Sequence, residues 1–90
     1  MHERLWEIYE QLCLVEMVSL EEFVRRLKSA EFGEFPTDDV VSFLREIEAN
    51  MLQNIQVKTT EHQAYAELAD EVSEQTQRMF DDLIEEVRRA

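Results

Sequence analysis

Two histidines, one cysteine and a surplus of carboxylates are the residues of this chain that could do chemistry. A metal site on a helix needs His and carboxylate side chains three or four positions apart, because only those positions share a face. His62 has Lys58, Thr59, Tyr65 and Ala66 at those positions, none a usual ligand, and His2 falls at a terminus expected to fray. The sequence therefore predicts no metal site and no cofactor. Cys13 falls on an apolar flank, where a thiol packs as an inert small hydrophobe. Ser19, Ser29, Ser42 and Ser73 lie in no nucleophile elbow, and Gly33, the only glycine, cannot build a phosphate-binding loop.

Carboxylates are too abundant to single out an acid–base pair. The chain has 21 Asp and Glu against 9 Lys and Arg, a formal charge of −12. Acids on the outer face of a helix stay solvated and chemically ordinary. Glu16 is the exception, since it enters the apolar arc of the first helix if that helix continues so far. No enzyme is expected. The charge opposes phosphate backbones and anionic membranes, so nucleic acid and membrane are not expected partners, and a basic protein is. A lone cysteine forms no internal disulfide and suits a reducing cytoplasm. The charged stretch Met1–Glu10 is unlike a signal peptide, and the longest apolar run, Leu12–Val15, is too short to span a bilayer.

Ninety residues with one Gly and one Pro leave little turn material and predict a single domain of few, long elements. Four segments have helical spacing, at about 3–15, 20–32, 38–53 and 61–88. In the first, Leu5, Ile8, Leu12 and Val15 share one flank, and Trp6, Tyr9 and Cys13 the next. That broad face needs cover from more than one side. The second begins with a capping box, Ser19 and Glu22, and a hydrophobic staple, Val18 and Phe23. It buries Leu20, Phe23, Val24 and Leu27, is braced by Glu21–Arg25 and Glu22–Arg26 pairs, and stops at Gly33 in a left-handed cap. In the loop, Phe32 and Phe35 either plug the bundle end or offer an exposed anchor to a partner.

Thr37 or Asp38 caps the third helix, which buries Val40, Phe43, Leu44, Ile47 and Met51. The β-branched run Ile55–Thr59 breaks the pattern, as a bend, linker or short strand. Thr60, with Gln63 in the capping-box position, then starts the last helix. A single helix running through both is the other reading, and poor helix formers at Val57–Thr60 oppose it. The last helix, about 42 Å long, carries Tyr65, Leu68, Val72, Met79, Phe80, Leu83, Ile84 and Val87 as a stripe longer than its intrachain neighbours can cover. That stripe is the expected seam of a homodimer. Glu67–Glu71, Asp70–Glu74, Asp81–Glu85 and Asp82–Glu86 are like-charge pairs that together cost about 1–2 kcal/mol, only partly recovered by Glu74–Arg78 and Glu85–Arg89. The acidic ridge of Asp70, Glu74, Asp81 and Glu85 is the candidate surface for a basic partner.

A capped helix, a turn, a second helix and a β-branched segment across Ser19–Thr59 resemble the layout of winged helix-turn-helix domains. The likeness implies a dimeric DNA-binding regulator. It is a likeness of order, with no residue motif, and the would-be recognition helix carries Asp38, Asp39, Glu46 and Glu48 against Arg45 alone, the wrong sign for phosphate. The sequence therefore predicts an all-α, four-helix bundle-like domain with a long C-terminal helix, completed as a homodimer. Its expected role is non-enzymatic protein–protein interaction in the cytoplasm, with the winged-helix regulator as the alternative.

Overall fold

The computed structural model describes residues 2–61 and 66–89. Among these, four α-helices and one π-turn follow in the order α1 (Glu3–Tyr9), the π-turn (Glu10–Val15), α2 (Leu20–Lys28), α3 (Thr37–Glu61) and α4 (Ala66–Arg88). The architecture is all-helical, with a long C-terminal helix.

Half of the expected capping box forms: the Glu22 N–H donates to Ser19 Oγ at 3.1 Å, a cap worth about 1 kcal/mol over alanine, while the Glu22 carboxylate turns to Arg25 instead of the Ser19 N–H. Glu22 also pairs with Arg26, at 3.5 Å. The end of α2 differs from the expectation. Ala30, not Gly33, takes the left-handed position, at φ +60°. The Ala30 N–H donates to the Leu27 carbonyl at 3.2 Å and the Glu31 N–H to the Arg26 carbonyl at 3.4 Å. These two bonds make a Schellman motif. An Arg26–Glu31 ion pair at 3.8 Å stands where an apolar contact usually closes it. Gly33 serves the following loop, at φ +97°.

The third helix is longer than its sequence suggests. It starts at Thr37, where the Asp39 and Val40 N–H groups donate to the Pro36 carbonyl at 3.0 and 3.2 Å. It then continues through the β-branched run to Glu61, 25 residues in all. Thr60 is therefore inside α3. Tertiary packing overrides the weak propensity, since α3 lies antiparallel against α4 over much of its length. α4 begins at Ala66. Gln63, His62 and Tyr65 lie outside the described residues. Among the described residues the winged-helix layout does not form: its strand segment is helical, and its recognition helix buries Val40, Phe43, Leu44 and Ile47 in the core.

The core gathers at one end of the molecule. It takes Leu5, Ile8, Tyr9 and Leu12 from the N-terminal segment, Phe23, Val24 and Leu27 from α2, and Val40, Phe43, Leu44 and Ile47 from α3. Phe80, Leu83 and Ile84 complete it from α4. Trp6, Tyr9, Phe23 and Phe43 form an aromatic cluster; Trp6 meets Phe43 edge-on at 5.0 Å and Tyr9 meets Phe23 at 5.8 Å. Such pairs add about 0.5–1.5 kcal/mol each beyond area burial. His2, expected to fray, is docked instead. Its ring stands edge-on to Phe43 at 6.3 Å, with Nε2 3.3 Å from Ser42 Oγ and 3.8 Å from Glu46.

Every buried residue of α3 lies in its N-terminal half and every buried residue of α4 in its C-terminal half. The far halves of these antiparallel helices extend past the core as a two-helix stalk, giving overall extents of 44 × 26 × 23 Å. The reason is visible in the side chains. Ala66, Ala69, Asp70, Ser73 and Gln77 of α4 face Leu52, Gln53, Ile55 and Gln56 of α3 across a groove, and a lining of small and polar residues around two aliphatic ones supplies too little apolar volume to make a core.

Candidate functional site

The stripe of α4 divides between two duties. Phe80, Leu83 and Ile84, expected at a homodimer seam, are buried among the chain's own helices, and Val87 is half-buried against the same core. At about 100° per residue, these four and Thr76 centre on one direction of α4, and Leu68, Val72 and Met79 centre roughly a quarter-turn away. That rotation leaves the second set outside. Leu68, Val72 and Met79 are 55, 42 and 38 % exposed. Met79 sits beside Glu21, Val24 and Arg25 of α2, in an open cleft with Asp82 and Glu86. The exposed stripe thus begins on the stalk and ends where α2 meets α4.

The acids of α4 divide at the same boundary. Near the core they are paired: Asp81 takes the Arg45 guanidinium at 3.1 Å, Glu85 takes Arg89 at 3.1 Å and Glu86 takes Lys28 at 3.0 Å. The Lys28 ammonium, by hydrogen bond first and charge second, holds the Glu86 carboxyl below the usual carboxylate range. On the stalk, Glu67, Asp70, Glu71 and Glu74 are exposed. Among the described residues no ion pair engages these four, and the Glu74–Arg78 pairing that the spacing allows does not form. Only Gln75 reaches them, donating to Glu71 at 3.5 Å. The apolar stripe therefore has Glu71 and, further round, Glu67 on one flank, both without a cation among the described residues, whereas Asp70 lines the groove toward α3 on the opposite side of α4.

The other sequence candidates fall elsewhere. Phe32 and Phe35 are half-buried and pack against the core, so they close the bundle end. Asp81 and Glu85 of the expected ridge are engaged by arginines, whereas Asp70 and Glu74 remain on the stalk. Glu16 is exposed, outside any apolar arc, and accepts from Gln11 Nε2 at 3.0 Å. Cys13 is half-buried, and burial raises its thiol pKa, which keeps the sulfur protonated. Tyr9 is raised in the same way, first by burial and then by the neighbouring Cys13. Among the described residues no three His, Cys, Asp or Glu side chains converge as a metal site, and no helix is long and apolar enough to cross a membrane.

A feature missed from the sequence is the π-turn. The Glu16 N–H donates to the Gln11 carbonyl at 3.0 Å and the Val18 N–H to the Leu12 carbonyl at 2.7 Å. Each such bond encloses more residues than an α-helical one, so side chains fall behind the 3.6-residue phase. Val15, expected on the flank of Ile8 and Leu12, is turned out to solvent with Leu14. Met17 follows at φ +62°, a left-handed residue with a side chain that disfavours it. Neither the π-turn nor the positive φ has a signature in the residue types present. Comparison with models of protein families, with curated proteins and with solved structures returned no match.

Proposed function

We propose that this chain is a non-catalytic binding domain whose stalk receives a basic, amphipathic helix from a partner protein. One observation carries the proposal: Leu68 and Val72 lie exposed along α4 with Glu71 and Glu67 on their flank, acids that no cation of the chain neutralises among the described residues. An apolar strip gives a docking helix its contact area, and the acids select one with lysine or arginine along its flank. A third helix laid on the two-helix stalk also supplies the layer that the stalk lacks. A reducing cytoplasm is the proposed location, since the chain has one free thiol and no disulfide.

A second copy is a poorer occupant of this strip. Two stalks side by side would each bring the same flanking acids, Glu67 and Glu71, to the contact, and like charges in register oppose association. The expected homodimer is therefore not assigned to α4.

Binding of a designed leucine–lysine helical peptide, followed by fluorescence anisotropy, tests the proposal. The expected result is saturable binding that weakens with salt and falls at least about tenfold in Leu68→Glu or Val72→Glu. Equal binding by wild type and both variants, or equal binding of a leucine–glutamate peptide, would refute it.

A further inference from the structure

We infer that the cleft between α2 and α4 anchors the docked helix by receiving one of its lysine or arginine side chains. The inference rests on the stalk proposal and adds to it a position and a residue type. At about 100° per residue, Leu68, Val72, Met79, Asp82, Leu83 and Glu86 fall within an arc of about 100° on α4. The exposed strip of the stalk therefore leads into the cleft, whose other wall is Glu21, Val24 and Arg25 of α2. From Leu68 to Met79 the rise is about 16 Å, or about three turns. A partner helix of about four turns lying on the strip reaches the cleft with its end. On the stalk a side chain of that helix meets one surface. In the cleft it meets two, and contacts enclosed on several sides carry most of the energy of binding.

The lining selects the side chain. Half-exposed Met79 lies over buried Val24 and Leu83 as an apolar floor. Glu21, Arg25, Asp82 and Glu86 surround it. Two of these are already engaged: Arg25 by Glu22 at 2.5 Å, and Glu86 by Lys28 at 3.0 Å. Glu21 and Asp82 are exposed and have no cation partner among the described residues. The Glu21–Arg25 pairing that the spacing invites is not made, since Arg25 turns to Glu22 instead. An apolar floor beneath two unpaired carboxylates matches a lysine or arginine, whose methylene stem packs on the floor while its charged head stays at the mouth. A leucine would cover the floor but leave both acids without a counter-charge, and an acidic side chain would be repelled.

Binding of a leucine–lysine helical peptide of about four turns, followed by fluorescence anisotropy, tests this with a variant carrying both Glu21→Gln and Asp82→Asn. The expected loss is at least about fivefold relative to wild type, with a shallower dependence on salt. A control carrying Glu3→Gln and Glu10→Gln removes the same charge outside the cleft and should bind within about twofold of wild type. In the wild-type complex the Met79 methyl should show NOEs to the side-chain methylenes of a peptide lysine, a measurement that needs no variant to fold. Binding that is lost in Leu68→Glu but equal in wild type and the cleft variant overturns the inference and leaves the stalk proposal standing. So does a Met79 methyl that sees only leucine, or a loss in the control as large as in the cleft variant. A wild-type chain that binds no peptide overturns both.

Discussion

Arg45 Nη1 lies 2.8 Å from Glu48 Oε1, one turn along α3, and Glu48 is the only charged residue buried among the described residues. The same guanidinium reaches Asp81 on α4 at 3.1 Å. Its hydrogen bond to Glu48, first, and its bond to Asp81 raise the Arg45 pKa further. One arginine thus satisfies the buried acid and crosses to the neighbouring helix at the base of the stalk. Arg45→Met removes the partner and strands Glu48, at a cost of about 1–3 kcal/mol. At about 4–8 °C per kcal/mol, thermal unfolding monitored by circular dichroism should show a clear drop. Arg45→Met with Glu48→Leu should recover most of it. An unchanged melting temperature in the single variant would mean that the pair contributes nothing.

Ala30 holds a left-handed conformation that glycine adopts freely. Ala30→Gly should stabilise the domain by about 0.5–1 kcal/mol, the relief of φ strain offset in part by a more flexible unfolded chain. Gly33 makes the opposite case. A Cβ there meets nothing within 4 Å, yet φ is +97°, so Gly33→Ala should destabilise through the backbone alone. Urea denaturation of the two variants reads both signs, and a destabilised Ala30→Gly would contradict the assigned Schellman cap.

Stability should also depend on acid through Glu86. Its carboxyl titrates lower in the folded protein than in the unfolded chain, because of Lys28. The unfolded state therefore takes up the proton first as pH falls. The contribution is complete above the ordinary glutamate range and is lost as pH drops through the lowered folded value. Lys28→Met should reduce the slope of stability against pH in that window and leave the neutral-to-alkaline side level. An identical acid slope in the variant would show that the pair is not energetically coupled.

The thiol of Cys13 should be slow to react. It is half-buried, and burial disfavours its thiolate, the reactive form. Reaction with a disulfide reagent near pH 8 should be slower than that of a cysteine peptide and should reach the peptide rate in urea. Native labelling as fast as the peptide would contradict the assigned environment.

How far the sequence carries depends on the kind of signal. Ser19 announces its helix because a side chain makes the cap, and Leu20–Leu27 announce a buried face because their spacing repeats. The end of α2 is less legible, since Ala30 is driven left-handed by backbone bonds while the glycine that invites the assignment lies three residues on. The β-branched run from Ile55 misleads for another reason: weak propensity loses to a long antiparallel partner. The stripe of α4 is legible as apolar. Its division into buried Phe80, Leu83 and Ile84 and exposed Leu68, Val72 and Met79 depends on where the core ends, which periodicity in one helix does not contain. The acids of α4 were likewise visible in number, but not which of them Arg45, Lys28 and Arg89 would neutralise.

The central claim is that the stalk of α4 is an acid-flanked strip for a basic helix. An NMR titration of the labelled protein with a leucine–lysine helical peptide at low salt tests it residue by residue. The account predicts shifts that centre on Leu68, Val72 and the flanking Glu67 and Glu71, fading toward Phe32 and Phe35 and reversed by added salt. Shifts centred on the Phe32–Phe35 loop, or a spectrum the peptide leaves unmoved, would contradict it.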